Sequence, residues 1–429
     1  MHYNTSRTDA TDGRADLYLL ALVSGSHLFV DLVASQLNPL WPDLKRQYGI
    51  ASTSGCLLIW MVATSVFQLL FGMIGDTWRS RWLLVAGPAI AVVSLAMIGL
   101  TNSPWALYAL LLLAGMGIAA YHPEAAAMSG GIWPAQRSRA MSIFSLGGYV
   151  GQTLGPYCSG FIVDRWGLPG LGWGAVFGLG AVASYGWALR GAAARGTSTA
   201  APAATPAVNV AEQPAATEAR RGGPLASSIR GSGWVVALLL TIGSSRVIAA
   251  AGVPLAMGYV LQQRDWSKES VGLVQSAFMA GIGLAGLACS IGNLARWERI
   301  LLWLPCLLSV PMIVLIPRVE GLALGMAMTA CGFLIGLGLP VFVSTGQRLL
   351  PASTRVASSI TMGVSWGIGG GIVAVVIGWC EQRGEFLGAF ALFATAALMS
   401  CGLCSWISPP PASLPGRSDL WEASGERRL

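Results

Sequence analysis

Charged side chains are scarce in this sequence. Only 10% of the 429 residues are charged, whereas 54% are apolar and the mean hydropathy is +0.62. Because about a quarter of the residues in an ordinary soluble domain are charged, this composition excludes a soluble enzyme. The net charge of +7 comes from basic residues that lie between apolar runs. Since nucleic-acid binders cluster such residues on one folded face, we expect no nucleic-acid partner.

Cysteines spaced for metal binding are also missing. All eight cysteines lie in apolar stretches, and none has the paired spacing of a zinc or iron–sulfur site. We therefore expect no metal and no cofactor. A cleavable signal peptide is not expected either, because the first sixteen residues are polar and carry five charged side chains.

Long apolar runs are what the sequence has instead. A membrane-spanning helix needs about 20 mostly apolar residues, and the sequence contains twelve such runs, at about 17–40, 54–75, 82–101, 104–128, 140–163, 169–189, 233–262, 271–294, 300–317, 321–346, 355–379 and 386–407. The predicted fold class is therefore all-α, with twelve transmembrane helices.

The runs fall into two sets of six. Residues 17–189 and 233–407 are predicted to form two six-helix bundles, joined by a flexible linker at 190–232 that is rich in Ala, Pro, Thr and Gly. Residues 1–16 and 408–429 are predicted tails. The halves resemble each other at an offset of 217 or 218 residues, as in DRWG at 164–167 and EQRG at 381–384. This offset indicates an internal repeat and two pseudo-symmetric halves.

The basic residues predict the orientation. With both termini in the cytoplasm, the loops on that side hold 18 of the 26 Lys and Arg residues and the opposite loops hold seven. The positive-inside rule therefore places both ends in the cytoplasm.

Two bundles of six helices, an internal repeat and a long linker resemble the architecture of the major facilitator superfamily. The segment GMIGDTWRSRWLL after the second run is similar to that superfamily's signature in the loop between helices two and three. Gly72, Asp76 and Arg81 occupy their usual places, and Arg79 stands where a glycine is usual. The resemblance implies a gating latch made by these four residues, and an ordinary positively charged turn is the alternative.

The fifth helix contains GQTLGPYCSG, which resembles the superfamily's antiporter signature through Gly151, Gly155, Pro156 and Gly160. Small residues at this spacing let helices pack closely, and proline bends a helix. The alternative is a generic interface of small residues.

The segments GMGIAAYHPEAAAMSGG at 115–131 and RAMSIFSLGGYVGQTLGP at 139–156 resemble the fosmidomycin resistance family of proton-coupled drug exporters. The similarity extends over most of the chain outside the linker and tails. The arginine that many multidrug antiporters carry in helix four is absent, because this sequence reads LLLAGMG at 111–117.

Five ionisable side chains fall inside the predicted helices: His27 and Asp31 in the first, His122 and Glu124 in the fourth, and Arg246 in the seventh. Charge inside a bilayer is costly unless it is paired or hydrated, so each is a functional candidate. The resemblance implies that these three helices line a central cavity, where the five groups can converge.

The predicted proton-coupling residues are Asp31, His27, Glu124 and His122. Asp31 is the preferred proton carrier, with His27 one turn away on the same helix face. Packing or gating is the alternative role for His122 and Glu124.

Arg246 is predicted to line the substrate cavity, either as counter-ion to Asp31 or Glu124 or as an anchor for an anionic substrate. A static buried ion pair with Asp31 is the alternative. Further cavity candidates, which could bind a substrate or simply the next helix, are Gln152, Gln275, Tyr121 and Trp366.

These observations together predict a non-enzymatic secondary transporter of the bacterial inner membrane. We expect it to act as a monomer and to exchange protons for a small polar or anionic molecule, such as a phosphonate antibiotic or a metallophore. Proton-coupled uptake is the main alternative. A transport-inactive receptor and an intramembrane metalloenzyme, the latter built on two histidines and two carboxylates, are the others.

Overall fold

A computed structural model describes residues 5–77, 82–133, 137–194, 233–291, 297–350, 357 and 359–407. Across these ranges the secondary structure is helical and contains no β-strand. Each of the twelve apolar runs corresponds to one long helix in the described part of the chain, so the all-α prediction is confirmed. We number these long helices α1 to α12.

The N-terminal half contains α1 to α6, and their bounds are Thr5–Ser35, Ser54–Thr77, Leu83–Ile98, Pro104–Ile132, Arg137–Trp166 and Trp173–Ala194. The C-terminal half contains α7 to α12, with bounds Gly233–Gln263, Lys268–Ile291, Glu298–Leu315, Gly321–Leu349, Ser365–Arg383 and Leu387–Cys404. One π-helical segment, Ser359–Val364, leads directly into α11.

Nine helices in the described ranges are long and apolar enough to cross a membrane. The other three are α3, which is apolar but has only 16 residues, and α5 and α6, which are rich in glycine. Large apolar side chains such as Phe177, Trp187 and Leu322 lie exposed on the outer surface. An apolar surface of this kind is what a chain surrounded by lipid presents.

Helix packing follows the internal repeat. In the N-terminal half α1 packs against α5, and α4 packs against α2 and α3; in the C-terminal half α7 packs against α11, and α10 packs against α8 and α9. The halves meet along two seams, α5 with α8 and α2 with α11. The pseudo-symmetry expected from the sequence is therefore present in the contacts.

A short helix, Trp41–Tyr48, lies between α1 and α2 and was not predicted. Pro42 starts it, and Gly49 ends it with a φ of 59°, a conformation that glycine adopts without strain. Burial raises the pKa of Tyr48 to about 12, and its hydroxyl donates to the carbonyl of Ile98 at the end of α3. This loop helix is thereby fixed to the N-terminal bundle.

The domain boundaries remain predictions. Helix α1 begins at Thr5, inside the predicted tail, although its apolar span starts at Ala15. Residues 195–232 of the predicted linker and residues 408–429 of the predicted C-terminal tail lie outside the described residues.

Candidate functional site

The Asp31 carboxylate lies at the centre of a buried polar cluster. His122 Nε2 is 3.1 Å from Oδ1, His27 Nε2 is 3.4 Å from Oδ2, and Gln152 donates to Oδ2 at 2.8 Å. Asp31 is only 5% exposed, and its partners come from α1, α4 and α5. We call His27, Asp31, His122 and Gln152 the Asp31 cluster.

Backbone geometry lets the cluster form. His27 and Asp31 are four residues apart on α1, which places them on one helix face. Gly148 of α5 faces both of them, and a Cβ there would lie 2.5 Å from His27 Cε1 and 2.7 Å from Asp31 Oδ2. The missing side chain at Gly148 therefore provides the space that the carboxylate and imidazole occupy.

The imidazole orientations fix which nitrogen carries a proton. His27 Nδ1 is 2.8 Å from the Phe144 carbonyl, and the His27 ring stacks on the Phe144 ring at 4.0 Å. His122 Nδ1 is 2.8 Å from the Ile118 carbonyl. Because a carbonyl oxygen only accepts, both Nδ1 atoms must donate. In the neutral rings, both Nε2 atoms then present lone pairs to the carboxylate.

When both histidines are neutral and Asp31 is ionised, the two Nε2 atoms and the carboxylate oxygens are all hydrogen-bond acceptors, and no proton lies between them. A bound proton between His122 Nε2 and Asp31 Oδ1 turns repulsion into a hydrogen bond and makes the three groups neutral overall. A buried site of low net charge is far less costly than a buried, uncompensated carboxylate. The arrangement can therefore bind and release protons.

The other N-terminal candidates lie around this cluster. Tyr121 is fully buried, and its hydroxyl is 2.5 Å from Ser26 Oγ of α1. Glu124 is partly buried on α4, and the Asp31 contacts in the described residues do not include it. The structure brings His27, His122 and Gln152 to Asp31, and it uses Tyr121 to join α4 to α1.

Arg246 lies elsewhere, inside the C-terminal bundle. Its guanidinium donates to the Leu302 carbonyl of α9, reaches Cys404 Sγ of α12 at 3.6 Å, and lies 5.5 Å from the centre of the Phe342 ring of α10. The side chain is 3% exposed, and Nε and Nη1 have no hydrogen-bond partner among the described residues.

The expected pairing of Arg246 with Asp31 is therefore not formed in this structure. The reason is geometric, because the Arg246 side chain points from α7 toward α9, α10 and α12 of the C-terminal half. Its predicted role in the substrate cavity stays a prediction.

The remaining cavity candidates differ in their surroundings. Gln275 is fully buried at the seam between the halves, where its Nε2 donates to the carbonyls of Asn38 at 3.2 Å and Pro254 at 3.1 Å. Trp366 is partly buried on α11. Gln275 joins helices in this structure, and Trp366 stays a prediction.

The glycines of the antiporter signature allow close helix contacts. A Cβ at Gly151 would lie 2.0 Å from the Leu28 carbonyl oxygen of α1. A Cβ at Gly155 would lie 2.1 Å from Ser35 Oγ, also on α1. A Cβ at Gly160 would lie 2.2 Å from the Lys268 carbonyl oxygen of α8. The signature thus holds α5 against α1 on one side and against the C-terminal half on the other.

The Pro156 carbonyl oxygen also lies against α8, where a Cβ at Gly272 would be only 2.1 Å from it. This contact adds to the seam between the halves.

Most of the predicted gating latch lies outside the described residues. This holds for the side chain of Asp76 and for Arg79 and Arg81 entirely. Gly72 is described, and a Cβ there would lie 3.7 Å from Pro123 Cβ of α4. The latch remains a prediction from the resemblance.

A second charged assembly, missed in the sequence analysis, joins the two halves at one face. At the end of α11, Glu381 Oε2 accepts from Ser52 Oγ at 2.6 Å and from the Thr53 backbone N–H at 2.8 Å, while Lys45 Nζ is 3.4 Å from Oε1. The Glu381 side chain is 2% exposed. A carboxylate from the C-terminal half thereby caps the start of α2.

The repeat places an equivalent contact on the other seam. Asp164, at the end of α5, accepts from the backbone N–H groups of Lys268 at 3.1 Å and Glu269 at 2.6 Å, at the start of α8. Lys268 Nζ is 3.5 Å from both Asp164 and Asp43. Asp164 and Glu381 are 217 residues apart, so each repeat supplies one acid that caps a helix of the other half.

We call these two contacts the paired caps. In the described ranges, every ion pair that links the halves lies on this face. One feature of the sequence could have indicated the paired caps. The chain has only two lysines, Lys45 and Lys268, and both belong to these contacts. The structure is therefore closed at the face of the loop helix.

Comparison with known proteins identifies the family. The sequence matches the family model described as Major Facilitator Superfamily over residues 23–374. The chain belongs to this superfamily. It is similar to the fosmidomycin resistance protein of Escherichia coli (strain K12), with 23% identity over 86% of this chain and 87% of that protein.

Shorter and purely structural similarities agree with this result. Multidrug resistance protein Stp of Mycobacterium tuberculosis (strain CDC 1551 / Oshkosh) is 28% identical over 37% of this chain and 30% of that protein. A mutant of the nucleoside transporter NupG has a TM-score of 0.66 at 12% identity, covering 90% of this chain and 99% of that chain.

A bacterial homologue of the human lysosomal transporter Spinster, solved in an inward-facing and unoccupied conformation, has a TM-score of 0.58 at 15% identity. It covers 92% of this chain and 95% of that chain. At this identity, the two solved structures show the fold alone.

The chain is thus a multi-pass membrane transporter with efflux-type relatives, and it is not an enzyme. The predicted fold class and the resemblance to fosmidomycin resistance proteins are confirmed.

Proposed function

We propose that this transporter exports a small polar or anionic organic molecule in exchange for protons, by alternating access. The observation that carries the proposal is the Asp31 cluster, in which two Nε2 lone pairs face one buried carboxylate. Such a site binds a proton in one conformation and releases it in another when its hydration and contacts change.

The paired caps supply the conformational part of the proposal. They close one face, and that face carries the loops with seven of the 26 basic residues. If the face is extracytoplasmic, as the charge bias predicts, we expect the Asp31 cluster to exchange protons with the cytoplasm while the caps are formed. The side chain of His122 is 21% exposed and is the most accessible of the three ionisable groups. We propose that the protein acts as a monomer in the bacterial inner membrane.

The names of the relatives support export. Fosmidomycin and multidrug resistance proteins are similar to this chain over 86% and 37% of its length. Arg246 does not contact Asp31 in this structure, so its position does not distinguish an anionic substrate from a neutral polar one. The charge of the substrate is therefore best measured directly.

The test uses proteoliposomes that contain the purified protein. With an acidic lumen, fosmidomycin is expected to accumulate inside, and a protonophore is expected to abolish the accumulation. Accumulation only with an alkaline lumen indicates symport instead. A protein that binds compounds, as judged by thermal stabilisation, but moves none in either gradient contradicts the transport proposal. Neutral and cationic polar compounds tested in parallel determine the substrate's charge.

A further inference from the structure

The Asp31 cluster has a second chemical property that proton exchange does not require. His27 Nε2, one carboxylate oxygen of Asp31 and His122 Nε2 all lie within 4.8 Å of one another. Two imidazole nitrogens and one carboxylate oxygen form a donor set that transition-metal ions bind well.

The orientation of the histidines strengthens this reading. Histidines that bind metals donate the other ring N–H to a carbonyl or carboxylate, which fixes the ring and directs the lone pair to the ion. Both histidines show this arrangement, with Nδ1 2.8 Å from the carbonyls of Phe144 and Ile118. The carboxylate is held in turn by Gln152 at 2.8 Å. Each ligand is thus oriented by a neighbour before any ion arrives.

The three ligand atoms must move closer together to bind one ion. In a tetrahedral site with bonds of about 2.05 Å, ligand atoms lie roughly 3.3 Å apart. His122 Nε2 is 3.1 Å from Oδ1 of Asp31, and His27 Nε2 is 3.4 Å from Oδ2. With one oxygen taken from the carboxylate, the three ligand atoms lie within 4.8 Å of one another. The space that Gly148 leaves beside His27 and Asp31 lets the rings adjust. Three protein ligands leave a fourth position for water or for a donor atom of a substrate.

We propose that His27, Asp31 and His122 form a binding site for a divalent transition-metal ion of the Zn²⁺ type, which competes with protons for the same three side chains. Mg²⁺ and Ca²⁺ are not expected to bind, because these ions prefer sites in which every ligand atom is oxygen. The proposed binding is reversible. We therefore still expect the purified protein to contain no bound metal, as the sequence predicts. The proposal follows from the ligand geometry and holds whether or not protons drive transport.

Competition with protons gives the site a measurable signature. A metal ion binds only when both Nε2 lone pairs are free and the carboxylate is ionised. Metal binding therefore displaces each proton that the cluster holds, and the affinity falls about tenfold per pH unit for each displaced proton.

The experiment measures binding of Zn²⁺ and Co²⁺ to the full-length protein in nanodiscs. Isothermal titration at pH 7.5 and pH 6.0 is expected to show one Zn²⁺ per chain, with at least tenfold weaker binding at the lower pH. The absorption spectrum of bound Co²⁺ is expected to show visible ligand-field bands without thiolate charge-transfer bands. Thiolate bands would assign the metal to the cysteines and overturn the proposal.

Substitutions locate the site. His122→Gln and Asp31→Asn are each expected to weaken Zn²⁺ binding at least tenfold, since even changes in the residues that orient metal ligands cost about 10 to 100-fold. His2→Gln is the matched control, because it removes the only histidine outside the cluster, and it is expected to change nothing.

Thermal melts show which variants are folded, and the pH series on the unaltered protein provides a test that does not depend on variants. Equal Zn²⁺ affinity in the unaltered protein and in a folded His122→Gln variant overturns the site. Because transport is not measured, failure here leaves the proton-exchange proposal standing.

Discussion

The N-terminal half holds a buried cluster of ionisable groups around Asp31, whereas Arg246 of the C-terminal half is buried against helix backbone. The repeat offset of 217 aligns Pro123 with Pro340. The same offset places Ser244, Ile248, Leu339 and Gly369 where the N-terminal half has His27, Asp31, His122 and Gln152. Every ionisable member of the cluster is therefore lost in the second copy. Under the proposed proton exchange, we therefore expect the N-terminal half to carry the proton site.

The paired caps, unlike the Asp31 cluster, are present in both repeats. Asp164 and Glu381 occupy equivalent positions, and each caps a helix of the other half. We infer that closing one face needs matched contacts on both seams, whereas proton exchange needs only one site. The contacts that join the halves are thus repeated in both halves, whereas the ionisable cluster occurs in one half.

The largest expected effect comes from neutralising the centre of the cluster. Asp31→Asn should abolish accumulation of substrate against a gradient, because the amide cannot exchange a proton with the histidines. Exchange of substrate for substrate, which needs no proton step, should partly remain. Flux and counterflow in proteoliposomes measure the two activities. If Asp31→Asn still concentrates substrate, the carrier is another group, and Glu124 is the next to test.

A smaller but still large effect is expected from filling the space beside the cluster. In Gly148→Ala the new Cβ would lie 2.5 Å from His27 Cε1, and overpacking of this kind costs about 1–3 kcal/mol. We expect proton-driven flux to fall roughly tenfold, the change that about 1.4 kcal/mol produces.

Gly180→Ala of α6 is the matched control, since a Cβ there meets nothing within 4 Å. At the position equivalent to Gly148 the C-terminal half already carries a side chain, Ser365. Equal flux in the Gly148 and Gly180 variants would contradict the importance of this space.

The paired caps can be compared with each other. Glu381→Gln and Asp164→Asn should each favour opening of the closed face, by about 1–3 kcal/mol in the conformational equilibrium. The Glu381 variant should have the larger effect, because the Glu381 side chain is 2% exposed and that of Asp164 is 19% exposed.

Hydrogen exchange at the capped backbone amides reads out the opening directly. Residues 52–56 should exchange faster in the Glu381 variant, and residues 267–272 in the Asp164 variant. Glu385→Gln is the control, because among the described residues the Glu385 carboxylate accepts only from the Gly388 backbone N–H of its own half. Unchanged exchange at both helix starts would show that the caps do not hold the face closed.

The smallest expected effect is the coupling between Arg246 and Asp31. Arg246→Ala should lower the melting temperature, because it removes the charged donor to the buried Leu302 carbonyl, which then keeps the weak contact from Cys404 Sγ at 3.5 Å. Since the two side chains are not in contact, the double variant with Asp31→Asn should show additive losses, to within about 0.5 kcal/mol. Melting temperatures of both single variants and the double variant measure the coupling. A double variant more stable than Arg246→Ala would indicate that the two charges pair in another conformation.

Much of the Asp31 cluster could be predicted from the sequence. The spacing of His27 and Asp31 fixes them on one face of α1, and the cost of burying charge in lipid marks both, together with His122, as candidates. The tautomers could not be predicted, because they depend on the carbonyls of Phe144 and Ile118.

The direction of Arg246 could not be predicted for a different reason. Helix α7 is apolar on all sides and largely buried, so no polar face reveals which way it is turned. The paired caps depend on contacts between residues more than 100 positions apart, and the repeated DRWG and EQRG segments indicated symmetry without indicating partners.

The lysine content of the chain has a practical consequence. Lys45 and Lys268 carry the only ε-amino groups, and both lie in the paired caps, with side chains 31% and 27% exposed. If this face is extracytoplasmic, as the charge bias predicts, a membrane-impermeant acylating reagent added to intact cells can report the conformation of the unaltered protein, without engineered labels. Reaction at either amine neutralises its charge and leaves Glu381 or Asp164 without its lysine, so the reagent both detects the open form and traps it.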